Sequence, residues 1–171
     1  MIELARHSKY FKAKPKEYKE WAAWVLYGKQ YNYPKDLPLV TKLIHDNLDI
    51  KLCPPKFREG NLGNPMFGHC YHSTQALYFF FRDANLKAMS APCDIAGSHW
   101  WLIDDNNNII DITEDQYLSV GKKAPYDKGK ETKWYGWRNR THKRSLTLMN
   151  LVQPSSVLEF EEILEKPKKS Y

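Results

Sequence analysis

Four residues of this chain have the types and spacing for nucleophilic chemistry: Asn64, Cys70, His99 and Asp111. Cys70 lies in GNPMFGHCYHSTQALYFFF (63–81), where a loop containing glycine and proline gives way to apolar residues at helical spacing. The thiol therefore stands at a predicted helix start, whose free N–H groups and dipole favour the thiolate. A cysteine nucleophile also needs a histidine to take its proton, and an acid or amide to orient that histidine. His99 and Asp111 lie in SHWWLIDDNNNIIDITEDQY (98–117), two apolar runs on either side of a polar turn, as in a β-hairpin. Asn64, six residues before Cys70, offers a side-chain amide that could join the Cys70 backbone N–H in binding an oxyanion.

The hairpin imposes a geometric condition on this grouping. Side chains alternate between faces, so His99, Trp101 and Ile103 share one face. A three-residue loop at 105–107 sets Asp111 across from Trp101 and diagonal to His99 on that face, within side-chain reach. A two-residue loop turns Asp111 to the other face. The run of three asparagines favours the odd loop, because asparagine tolerates the left-handed conformation. By the same alternation Trp100 is expected in the core, and Trp101 as a cleft wall that contacts substrate.

The elements that must hold these residues follow from periodicity. Residues 15–30 and 35–49 each read as a helix; residues 53–69, with three prolines and three glycines, read as a loop; a helix starts at Cys70. Residues 86–96 read as a strand and 98–117 as the hairpin, while 119–144 read mostly as loop. Residues 142–152 suggest a short helix. Ser156 and Glu159 have capping-box spacing ahead of a last helix, 155–166, and 167–171 read as a frayed tail. The expectation is a single α+β domain over 1–166, with N-terminal helices and a nucleophile helix packed on an antiparallel sheet.

A glycine loop, a cysteine at a helix start, a histidine on a strand and an aspartate on the next strand together resemble the papain-like and transglutaminase-like superfamily of cysteine hydrolases. In papain-like enzymes a glutamine stands six residues before the nucleophile, where this chain has Asn64. SHWWLIDDNNNIIDIT is similar to the His-to-Asp hairpin of transglutaminase-like proteins and arylamine N-acetyltransferases. That hairpin often ends in Asp-Pro-Thr, whose proline is Ile112 here. GHCY, HWWL and IID also resemble a group of small proteins from phages and bacteria. The resemblance spans roughly residues 60 to 117. It implies a thioester mechanism with Cys70 as nucleophile, His99 as base and Asp111 as its orienter, without a required cofactor. The acyl substrate would be a peptide, a protein side chain or a small amide, hydrolysed, deamidated or transferred.

Plainer readings stand beside this one. A free cysteine is most often a small buried hydrophobe, the reading given to Cys53 and Cys93. Asp104 and Asp115 are alternative orienting acids, and Asn64 can be a turn residue. Cys70, His72, Cys93 and His99 are a conceivable zinc set, but the Cys-x-His spacing is poor and no Cys-x-x-Cys pair supports it. PCDIAGSH fails the zinc-deaminase signature. The chain of 171 residues carries a net charge of +6, and KGKETKWYGWRNRTHKR (128–144) interleaves basic and aromatic residues. That segment permits nucleic-acid binding, with Trp134 stacking on bases, although a basic loop packed back on the core is favoured. Trp134 could equally wall a substrate cleft. A catalytically silent binding module of the same fold is a further alternative. Three cysteines without a disulfide pattern, no signal-peptide stretch and no membrane-length apolar run suggest a cytoplasmic location.

Overall fold

The computed structural model describes residues 29–134 and 143–153. The helices expected at 15–30 (all but its last two residues) and 155–166, and the tail 167–171, lie outside the described residues. So do residues 135–142 of the basic segment.

Helix α1, Leu37–Asp46, starts with a proline in its first turn and buries Val40 and Ile44. The proline- and glycine-rich stretch expected as a loop holds a 3₁₀ turn, Pro55–Phe57, and a short helix α2, Arg58–Gly63. Both prolines ahead of α2 sit where a helical N–H would be unpaired anyway, so they start the turn instead of preventing it. Helix α3, Cys70–Phe80, is the centre of the molecule. Nearly every side chain on it is buried, as expected of a helix covered on all sides. It packs against α1, against the C-terminal helix α5 (Lys143–Val152) and against the sheet.

The sheet has four antiparallel strands in the order β3-β2-β1-β4: β1 Lys87–Cys93, β2 Gly97–Ile103, β3 Ile109–Ile110 and β4 Lys130–Glu131. The chain is therefore α+β, with helices before and after an antiparallel sheet. Alternation along β2 divides its side chains. Trp100 and Leu102 join the apolar core with Ala88, Ile110, Leu77, Phe80 and Met149. His99 and Trp101 point away from that core, each about 1% exposed or less, into a second buried layer. That layer is supplied by the chain after β3: a short helix α4, Asp115–Leu118, and a 3₁₀ turn, Tyr126–Lys128. Gly129 lets this turn close on β2, since a Cβ there would lie 2.3 Å from a Trp101 ring carbon. No helix among the described residues is long and apolar enough to cross a membrane.

Candidate active site

Cys70 is the first residue of α3, and the turn before it depends on Gly68. Gly68 has φ +80°, and a Cβ there would lie 2.6 Å from Cys53 Sγ and 2.8 Å from Phe57 Cβ. The turn therefore needs glycine for both backbone conformation and space. The Cys70 thiol is 5% exposed and lies against the backbone of β2, the strand that carries His99. It donates to the Ser98 carbonyl at 3.7 Å, while the backbone N–H groups of Trp100 and Tyr71 point at the sulfur. One turn further along α3, Thr74 Oγ1 donates to the Trp100 carbonyl at 3.1 Å. The helix start is thus tied directly to the strand at positions 98 to 100.

The hairpin has the three-residue loop. Leu102 pairs with Ile110 and Ile103 with Ile109, so residues 105–107 form the connection, and Asn107 is left-handed at φ 60°. Asp104 builds this turn. Its carboxylate accepts from the Asn106 and Asn108 backbone N–H groups, the Asn108 amide and the Tyr33 hydroxyl. These bonds hold its carboxyl below the usual carboxylate range and occupy it away from His99. Asp115, the other alternative acid, opens α4 instead.

Asp111 lies diagonal to His99 and meets it: His99 Nε2 donates to Asp111 Oδ2 at 2.6 Å, with side chains 0% and 2% exposed. The carboxylate accepts three further bonds, from the Tyr126 hydroxyl at 2.8 Å, the Thr113 N–H at 2.9 Å and the Thr113 hydroxyl at 3.1 Å. An acceptor-only carboxylate suits four donors. Trp101 stacks on the His99 ring, with centroids 5.7 Å apart and planes at 25°, and the Tyr117 ring meets its edge at 4.8 Å. The imidazole is held by rings on both sides and by an acid at one nitrogen. Its other nitrogen, Nδ1, lies 3.2 Å from the side-chain amide nitrogen of Gln116.

Several expectations change at this point. A lowered thiol pKa was expected from the helix start. Instead, burial pushes the Cys70 thiol up to about 12, the Asp111 charge adds to the rise, and the Trp100 and Tyr71 N–H groups oppose it only in part. Desolvation outweighs the helix N-terminus because the thiol faces protein on all sides. Asn64 does not point toward the thiol: its amide donates to the Gln116 backbone carbonyl at 2.8 Å, fastening the loop before α3 to helix α4. Trp101 is buried behind His99, so it backs the imidazole rather than walling an open cleft. Trp134 is 7% exposed and stacks on Trp100, with centroids 5.4 Å apart, and its edges meet Tyr71 and Tyr78. That position is core, and it leaves no face of Trp134 for a base or a substrate.

Residues 69 and 72 form a second buried histidine pair beside Cys70, with His69 Nδ1 2.7 Å from His72 Nε2. Among the described residues, no three His, Cys, Asp or Glu side chains gather as metal ligands. Two cavities border the site. One of about 190 Å³ is lined by Cys93, Tyr117, Lys122, Lys123 and Lys128. The other, about 300 Å³, lies beyond Asp111 and is lined by Leu37, Thr41, His45, Ile112 and Glu114. Gln116, Thr113, Tyr117 and Tyr126 were not singled out from the sequence. Only Thr113 left a trace, as the Asp-x-Thr of a turn in which an aspartate accepts from the residue two positions on.

Comparison with family models, with curated proteins and with solved structures found no match to this chain.

Proposed function

We propose that this protein performs cysteine-dependent acyl chemistry on an amide or ester, with Cys70, His99 and Asp111 as a triad on a papain-like or transglutaminase-like variant of the α+β fold. The observation that carries the reading is the buried His99–Asp111 pair at 2.6 Å, mounted on the strand whose backbone touches the Cys70 thiol. A histidine with an acid at Nε2 carries its proton on that nitrogen and keeps a lone pair on Nδ1, the form a general base requires.

In the first half-reaction the Cys70 sulfur bonds to the substrate carbonyl carbon and the thiol proton passes to His99 Nδ1. Collapse of the tetrahedral adduct breaks the carbon–nitrogen or carbon–oxygen bond. His99 returns the proton to the leaving group, leaving a thioester on Cys70. Water then attacks the thioester with His99 again as base, and the acid and the thiol are released; an amine in place of water gives transfer. Because the resting thiol is neutral, the proton leaves it as the new bond forms, and no standing thiolate is required. The Trp100 and Tyr71 N–H groups beside the sulfur favour the negative charge that develops on it as the proton leaves. Trp134 stacked in the core is a reason to prefer this reading to nucleic-acid binding through 128–144.

The test is acylation by p-nitrophenyl acetate, read by mass spectrometry on digested protein. The acetyl group should appear on Cys70 ahead of Cys53 and Cys93. His99→Ala should slow it by roughly 100-fold or more, the usual contribution of a positioned base. Equal labelling of the three cysteines, or equal rates in both proteins, would sink the reading.

A further inference from the structure

Gln116 is 0% exposed and lies at the remaining nitrogen of His99. Its amide nitrogen is 3.1 Å from the Thr113 carbonyl, 3.2 Å from Thr113 Oγ1 and 3.2 Å from His99 Nδ1. The Thr113 carbonyl can only accept, so the NH₂ end of the amide must face it. The Thr113 hydroxyl donates to Asp111 and can then only accept from Gln116. With that orientation, His99 Nδ1 must accept as well. Two N–H groups thus face three acceptors, while Gln116 Oε1 is buried with no hydrogen-bond partner. A buried amide oxygen left unpaired is a costly arrangement, and one that a reoriented amide would relieve.

We infer that Gln116 is a positioning residue that holds the base at rest: it donates to Nδ1 of neutral His99 and must swing away, or turn its oxygen inward, before that nitrogen can take the thiol proton. The inference rests on the triad reading for its consequence, though its geometry stands on Gln116 and His99 alone. Protonated Nδ1 would set an N–H against the N–H of Gln116. Turning the amide over would place Oε1 there as an acceptor, supplying the partner that this oxygen lacks. The other groups facing the ring or its partners are Asp111 after β3, Cys70 on α3, Cys93 on β1, Tyr117 on α4, and Tyr126 with Glu114 beside it. Of these, Asp111 favours a charged imidazole, and Gln116 in its present orientation is the group that opposes it at Nδ1.

The deciding experiment is nitrogen NMR of the His99 ring across pH in the full chain, for wild type, Gln116→Leu and Gln116→Met, with iodoacetamide alkylation of Cys70 followed in parallel. In wild type the neutral ring should carry its proton on Nε2. In both variants the doubly protonated ring should persist to higher pH than in wild type, as expected when a donor opposing the charge is removed. Cys70 alkylation should then begin at lower pH only while His99 is present; loosened packing, which lowers the thiol midpoint by relieving burial, would act equally in a His99→Ala background. A wild-type ring protonated on Nδ1, or an unmoved pH profile in whichever variants fold, overturns the inference. If the His99 profile moves while Cys70 stays inert in every protein, the hold by Gln116 stands and the nucleophile reading falls.

Discussion

Two buried histidine pairs flank the same cysteine, and they differ in the partner. His99 is bonded to a carboxylate at 2.6 Å; His69 is bonded to another imidazole, His72, at 2.7 Å. An acid beside a histidine can balance a positive ring. A second imidazole can only share one proton with the first, and neither gains from a charge. Burial accordingly holds His69 down to about 4, with the Asp49 charge opposing it in part. Burial thus keeps His69 neutral at the start of α3, whereas His99 has a carboxylate against its ring. His69 and His99 are both fully buried, so what sets them apart here is the group each ring meets: an imidazole or a carboxylate.

The comparison breaks most severely at Asp111. Asp111→Ala removes the acceptor shared by the His99 ring, the Tyr126 hydroxyl and both Thr113 donors, and should lower stability by about 3–5 kcal/mol, the summed cost of several buried donors losing a partner at roughly 1–3 kcal/mol each. Urea unfolding checks this, and a loss under about 1 kcal/mol would mean the network contributes little. Next in size is the effect of acid on the other pair. A folded His69 held near 4 binds fewer protons than its unfolded counterpart between about pH 6.5 and 4, so stability is present above that window and lost as pH falls through it. The loss should be on the order of 2–3 kcal/mol. Comparing unfolding at pH 7 and pH 4.5 in wild type and His69→Asn tests it, since the variant should lose most of this slope. Gly129→Ala, which forces a methyl onto the Trp101 ring behind His99, should cost about 1–3 kcal/mol. An unchanged melting temperature would show that the turn can back away. The smallest effect belongs to Tyr126→Phe, which removes one of four bonds to Asp111 and should cost about 1 kcal/mol. A crystal structure of that variant would show whether His99 keeps its orientation on the remaining three.

Much of the placement could be read from the sequence because it depends on local rules. Three asparagines after Asp104 and Asp105 announce a loop with a left-handed residue, and that loop alone decides which face Asp111 occupies. A cysteine after Gly68 and ahead of helical spacing announces the start of α3. What escaped is non-local. No spacing rule connects Gln116 to His99 or Asn64 to the Gln116 carbonyl, because both contacts depend on how the chain folds back after β3. The direction of the Cys70 thiol shift escaped for the same reason: the helix end is a local cause, and the burial that overrides it is a property of the whole packing. Trp134 shows the same gap. Amid basic residues it permits a stacking or cleft-wall role as well as the favoured packing on the core, and only the structure shows that its indole fills the space over Trp100.

The bond from the Asn64 amide to the Gln116 carbonyl joins two segments 52 residues apart, the approach to α3 and the short helix that reaches His99. Local opening should therefore be shared between them. Loosening of 64–69 frees the carbonyl that steadies Gln116, and loosening of 113–118 frees the amide that steadies the run into Cys70. In hydrogen exchange the two stretches should protect and release their amides together, as one cooperative unit distinct from the β1–β2 ladder. A ligand that orders either one would then slow exchange in the other, at a distance in sequence but with no longer path in space than one side-chain amide.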